Sequence, residues 1–82
     1  MKKYPPKKKE WQIEKLSDVC FQMEFKDRGR WCWLYVFKED EGWRWQARKG
    51  DARTQRSLAF DTPWDAANNC RALVRAGKLW WL

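Results

Sequence analysis

Two runs of alternating side chains around one acidic turn constrain this chain more than anything else in it. Residues 31–49, WCWLYVFKEDEGWRWQARK, read as a β-hairpin closed at Glu39 to Gly42. An even loop, whether of two residues or four, sets Lys38 opposite Trp43, which puts Val36 with Trp45 and Leu34 with Ala47 on one face. The other face is then Trp33 with Arg48, Tyr35 with Gln46 and Phe37 with Arg44. Side chains alternate strictly along a strand, so this register yields one apolar face and one on which aromatic rings stand among guanidinium and amide groups. An odd loop would scramble both.

The flanking segments extend the same sheet. Residues 18–26, DVCFQMEFK, place Val19, Phe21, Met23 and Phe25 on one side of a strand and Cys20, Gln22 and Glu24 on the other. The connection Asp27-Arg28-Gly29-Arg30 has turn chemistry, with a glycine free to take positive φ. Pairing Lys26 with Trp31 across it sets Phe25 beside Cys32, Met23 beside Leu34 and Phe21 beside Val36, the apolar face already chosen by the hairpin. Glu24 then meets Trp33 and Gln22 meets Tyr35. Residues 11–16, WQIEKL, admit either an extra edge strand or a helical turn.

Downstream, Gly50-Asp51 is a tight turn that sets Lys49 opposite Ala52, and with it Arg48/Arg53, Gln46/Gln55 and Arg44/Ser57 on the polar face. Like charges directly opposite one another are unfavourable, so the Arg48/Arg53 pair calls for an anion or a carboxylate. The same register throws Arg56 onto the apolar face beside Trp45. A bulge near Ser57, or an arginine stem lying on the indole at the sheet edge, accommodates it.

Residues 61–77, DTPWDAANNCRALVRAG, predict a helix with Thr62 as N-cap, Pro63 in the first turn, Asp65 near the positive end of the dipole and Gly77 as the stop. Trp64, Ala67, Cys70 or Arg71, Leu73 and Val74 recur at helical spacing and face the sheet, whereas Asn68, Asn69, Arg71 and Arg75 face water or a partner. The expected fold is therefore α+β: an antiparallel four-stranded meander with one C-terminal helix packed on one face, spanning residues 11–82 as a single domain. Its expected core is Val19, Phe21, Met23, Phe25, Cys32, Leu34, Val36, Trp45, Ala47, Leu73 and Val74. Residues 1–10, with five lysines and two prolines, form a basic flexible arm. The final KLWWL adds apolar surface beyond what one helix on one sheet must cover, so Trp80 and Trp81 either close the core or join a homodimer.

The residue inventory narrows the chemistry. There is no histidine, and Cys20, Cys32 and Cys70 lack any C-x-x-C spacing, so neither a structural zinc site nor histidine-based nucleophilic catalysis is expected. Glu39, Asp40, Glu41, Asp51, Asp61 and Asp65 all fall in turns or a helix cap, where local structure accounts for them. Ser17 and Ser57 have no candidate base and no Gly-rich phosphate loop is present. Neither an enzyme nor a cofactor is expected. No apolar run reaches membrane-spanning length, and the first nine residues lack the apolar region of a signal peptide, which suits a reduced, cytoplasmic protein with no membrane partner.

The net charge of +7 is unevenly distributed: residues 11–42 are mildly acidic, and the arm and residues 43–82 are basic. That partition suits an anionic polymer. The candidate contact surface is Trp33, Tyr35, Phe37, Arg44, Gln46, Arg48, Arg53 and Gln55, since rings stack on unpaired bases and arginine and glutamine engage phosphates or base edges. The run GWRWQARKGDARTQRSLAFDTPWDAANNC resembles the three-stranded-sheet-plus-helix DNA-binding domains of plant ethylene-response factors and the arm-binding domains of phage tyrosine integrases. There an aromatic-and-arginine strand, a short turn, a basic strand and a Phe-x-Thr-x-x-x-Ala helix start follow one another, here 43–49, Gly50-Asp51, 53–57, and Phe60, Thr62 and Ala66. The resemblance implies a sheet laid into a DNA groove with Arg44, Gln46, Arg48, Arg53 and Gln55 in contacting positions. The element order is also similar to the four-strands-then-helix single-stranded-DNA-binding transcription cofactors, which implies stacking on a single strand. A nucleic-acid-binding module, DNA favoured and phage-like in type, is the leading expectation. The competing one is a small protein-binding inhibitor or adaptor, such as a phage-type inhibitor of a host nuclease, using the same tryptophan and arginine surface.

Overall fold

The computed structural model describes residues 12–82, so the basic arm and Trp11 lie outside the described residues. Five antiparallel strands follow one another as a meander, β1 Gln12–Ser17, β2 Cys20–Asp27, β3 Arg30–Glu39, β4 Gly42–Lys49 and β5 Ala52–Arg53, and the helix α1 Pro63–Arg75 follows them. The sheet thus has one strand more than the four expected, because the segment that admitted two readings pairs as β1 with β2. β3 is central.

Both hairpin registers follow the alternation. Phe25 pairs with Cys32, Met23 with Leu34 and Phe21 with Val36 across β2 and β3; Leu34 pairs with Ala47 and Val36 with Trp45 across β3 and β4. The loop between β3 and β4 is the two residues Asp40 and Glu41, since Glu39 pairs with Gly42. Gly42 adopts φ 139, and a Cβ there would stand 2.5 Å from the Phe60 carbonyl oxygen, so only glycine fits both the conformation and the space. At the turn between β2 and β3, Arg28 (φ 52) and Gly29 (φ 83) are both left-handed, the twist that two-residue hairpins favour. Arg28 is held there by its guanidinium, whose Nη2 donates to the carbonyls of Gly77 (3.1 Å) and Leu79 (3.0 Å).

The outer edge of β4 departs from the expected ladder. β5 ends at Arg53, and the pairs Gln46/Gln55 and Arg44/Ser57 do not form. Two hydroxyls take over instead. The Ala47 amide donates to Thr54 Oγ1 (3.0 Å) and the Thr54 amide to the Ala47 carbonyl (2.9 Å); the Trp45 amide donates to Ser57 Oγ (2.9 Å) and the Ser57 amide to the Trp45 carbonyl (2.9 Å). Trp43 and Phe60 then exchange both backbone bonds. The β4 backbone groups are thereby satisfied although the neighbouring chain bulges by two residues, a requirement for buried peptide groups. The bulge falls where Arg56 demanded one, and it turns Arg56 out to an ion pair with Glu39 (Nη1 to Oε2, 2.6 Å).

The helix lies across β4 and β3 on the apolar face. Thr62 caps it, accepting from the Asp65 amide, and Gly77 follows its end at φ 67. The core unites Met23, Phe25, Cys32, Leu34, Val36, Trp45 and Ala47 of the sheet with Ala66, Ala67 and Cys70 of the helix and with Leu79. Each large apolar side chain buried there contributes about 1.5–3 kcal/mol relative to exposure. Small helix residues let the backbone approach the sheet closely, which leaves Leu73 and Val74 only partly buried beside the core rather than within it. Phe21 is likewise partly buried. Val19 is a correction: it sits in the turn between β1 and β2 and is 51% exposed. Asn69 is another, since it faces the sheet and accepts from the Trp45 indole Nε1 at 2.9 Å.

The C-terminal segment closes onto the same side. Trp81 packs against the core and its Nε1 donates to Oδ2 of Asp27 at 2.9 Å, while the Lys49 ammonium lies 4.6 Å from the Trp81 ring. Asp27 is only 1% exposed, and its second oxygen, without a hydrogen bond, stands 3.6 Å from Arg28 Nε. The Leu82 amide donates to the Arg53 carbonyl (2.8 Å), adding an outer bond to the short β5. Trp81 therefore packs, partly buried, on the core, whereas Trp80 is 75% exposed.

Candidate functional site

The helix and C-terminal segment cover one face, and among the described residues no element covers the opposite face of the sheet, called the open face below. Along β3 that face presents Trp31, Trp33, Tyr35 and Phe37, a column of rings on the central strand. Alternate residues of a strand are about 6.6 Å apart, so the four rings spring from evenly spaced positions along it. On the β2 side the neighbours are Lys26, Glu24, Gln22 and Cys20, each opposite one ring in turn. On the β4 side they are Arg48 opposite Trp33, Gln46 opposite Tyr35 and Arg44 opposite Phe37. Arg53 extends the row beyond Arg48.

The polar side chains of this face are not equivalent. Arg44 is engaged within the chain: Nε lies 2.7 Å from Glu39 Oε1, Nη2 lies 3.6 Å from Glu41 Oε1, and Nη1 donates to the Ser57 carbonyl at 2.7 Å. Gln46 donates from Nε2 to the Thr54 carbonyl at 2.8 Å. Gln55 leaves the row, because the bulge carries it to a groove shared with Trp45, Leu73 and Leu79 of the helix side. Arg48 and Arg53, by contrast, are exposed and opposite one another, and neither has an ion-pair partner among the described residues.

The open face is thus polarised. At the end near the β3–β4 hairpin, carboxylates neutralise Arg44 and Arg56. At the other end Lys26 stands opposite Trp31 and Arg48 opposite Trp33, with Arg53 one strand beyond Arg48. Lys26 Nζ lies 5.0 Å from the Trp31 ring centroid, a cation–π distance. Trp31, Trp33 and Glu24 line a groove of about 310 Å³. Trp31, 54% exposed, was absent from the residues expected at the site, although continuing the alternation two residues back from Trp33 reaches it.

The cysteines stand apart from this chemistry. All three are free thiols; burial pushes Cys20, Cys32 and Cys70 above the ordinary thiol range, Cys70 furthest, and the Asp27 carboxylate adds to the rise at Cys32 and Cys70. Among the described residues no helix is long and apolar enough to cross a membrane. In comparisons with protein-family models, curated proteins and solved structures, the chain has no match.

Proposed function

We propose that the chain is a nucleic-acid-binding module, not an enzyme, and that its open face takes single-stranded nucleic acid, DNA first among the candidates. The observation that carries this reading is the column of rings on the central strand beside two arginines that lack partners among the described residues. Bases stack on aromatic side chains whatever their sequence, each contributing about 1–3 kcal/mol, and arginines beside the column neutralise the backbone that links those bases. Groove readout of a duplex draws less support. Of the five residues that the resemblance to three-stranded-sheet DNA-binding domains sets in contact, Arg44 and Gln46 are held by bonds within the chain and Gln55 has left the face.

Titration of intrinsic tryptophan fluorescence with single-stranded and duplex oligonucleotides at two salt concentrations tests this. Quenching by the single strand, weaker for the duplex and partly salt-dependent, is expected. No response to either would transfer the open face to the protein-binding reading. Exposed Trp80 supports a separate reading, that a second copy docks through this indole, while Trp81 is engaged with the core and Asp27 of its own chain. Sedimentation of the parent and Trp80→Ala at micromolar concentration decides it.

A further inference from the structure

A carboxylate in the middle of a surface built for a polyanion needs a reason. Glu24 is exposed, opposite Trp33 and diagonal to Trp31, and it has no ion-pair partner among the described residues even though Lys26 and Arg48 stand nearby on the same face. Repulsion of phosphate makes it a cost to non-specific binding. The groove it lines with the two indoles has a volume of about 310 Å³, at the lower end of the roughly 300–1,000 Å³ found for small-ligand sites.

The strand repeat at that groove matches the separation that a flat heteroaromatic group needs. Trp31 and Trp33 are alternate residues of one strand, set about 6.6 Å apart along it. Successive stacked bases lie about 3.4 Å apart, so one base inserted between two rings needs about twice that separation. A base held there turns its edge toward the β2 side, where Glu24 stands. An ionised carboxylate only accepts hydrogen bonds, through two oxygens. Guanine alone among the common bases has two adjacent donors, N1–H and the N2 amino group, on its pairing edge. Adenine and cytosine offer one amino donor beside an acceptor nitrogen, and thymine and uracil offer one donor between two carbonyls.

We infer that Trp31, Trp33 and Glu24 form a guanine-selective subsite at one end of the single-strand-binding face, with the base between the indoles and its N1–H and N2 amino group donating to the carboxylate. The inference rests on the nucleic-acid reading of the open face and adds to it a base preference at one position. It also accounts for the placement of Arg48, which pairs with Trp33 across the strand and so stands beside the subsite on the side away from Glu24, where the sugar-phosphate chain would leave.

The test is a set of anisotropy titrations with labelled ten-residue oligothymidylates carrying thymine, guanine, inosine, adenine or cytosine at one central position. Parent, Glu24→Gln and Trp31→Ala proteins are compared, each checked for folding by circular dichroism. The parent should bind the guanine oligonucleotide about 5- to 150-fold more tightly than the all-thymine one, the range for a bidentate base contact. Inosine, which lacks the amino group, should lose most of that gain. Glu24→Gln, which exchanges one acceptor oxygen for a donor, should remove the guanine preference. Equal affinity for all five oligonucleotides, or a guanine preference that survives Glu24→Gln, overturns the subsite and leaves the nucleic-acid reading standing. Failure of every oligonucleotide to bind overturns both. Quenching by tetramethylammonium without response to any oligonucleotide also overturns both, marking the groove as a site for a cationic side chain of a protein.

Discussion

Replacing Arg48 and Arg53 together by glutamine isolates the electrostatic share of the proposed binding. The two guanidiniums belong to residues paired directly across β4 and β5, both exposed and without ion-pair partners among the described residues. If each neutralises one phosphate of a single strand, the pair contributes about 1.4 to the magnitude of the salt slope, at roughly 0.7 per contact. Between about 50 and 200 mM salt the parent should then lose about sevenfold more affinity than the double variant. The variant binds more weakly at low salt and the two proteins converge as salt rises. The free protein responds in the opposite direction. Two charges about 6 Å apart in water repel by about 0.7 kcal/mol, reduced to about 0.3 kcal/mol by physiological salt, so the unliganded variant gains at most a few tenths of a kcal/mol.

The assay is fluorescence titration at four or more salt concentrations, with urea denaturation of each protein at physiological salt. Trp33→Ala is the companion measurement: it should cost about 1–3 kcal/mol of binding and leave the slope unchanged, because ring stacking releases no counterions. A double variant with the parent's affinity and slope would refute the reasoning, for then the two arginines of the open face that lack ion-pair partners among the described residues touch no phosphate.

The remaining expectations concern the scaffold. Thr54→Val should destabilise by about 1–3 kcal/mol in urea denaturation, because the Ala47 amide loses its buried acceptor, and Thr54→Ser should recover most of the loss. Trp81→Phe should cost about 2 kcal/mol by leaving the buried Asp27 carboxylate without its indole donor, and amide exchange should show the Leu82 to Arg53 bond opening more often. Because Cys32 and Cys70 are buried in the core whereas Cys20 is only partly covered, a disulfide reagent should modify Cys20 in the folded protein and the other two only at the rate of unfolding. Raising the pH to 9 should speed the Cys20 reaction far more than theirs.

The registers of β2, β3 and β4 are legible because two short turns with even loops fix the same apolar face independently, and a slip of one residue at either would have exposed Phe25 or Leu34. The N-cap and helix limits are legible for a similar local reason, the sequence Thr62-Pro63 at one end and Gly77 at the other. What escapes the pattern is contact between distant segments. Trp81 and Asp27 are 54 residues apart, and no periodicity couples an indole at the end of the chain to a carboxylate at the end of β2. The edge beside β4 is hidden for another reason: Thr54 and Ser57 replace ladder carbonyls with hydroxyls, so a segment that alternates like a strand is not one. That substitution removes Gln55 from the face. Arg44 is withdrawn by a third effect, since Glu39 stands two residues before it on the partner strand in space, although five positions away in the chain.

These losses concentrate the candidate site instead of dispersing it. The end near the β3–β4 hairpin is neutralised internally, whereas the opposite end keeps Arg48 and Arg53 available beside Trp31 and Trp33 and against Glu24. That end depends on β5, a strand of two residues, too short to be ordered by its own ladder. It is fastened from outside and beneath: the Leu82 amide bonds to the Arg53 carbonyl, and Trp81 lies under Lys49 with its indole tied to Asp27. The C-terminal segment therefore does more than cover apolar surface. It holds the rung on which Arg48 and Arg53 stand, so loosening Trp81 should weaken oligonucleotide binding through Arg53 even though Trp81 packs on the opposite side of the sheet.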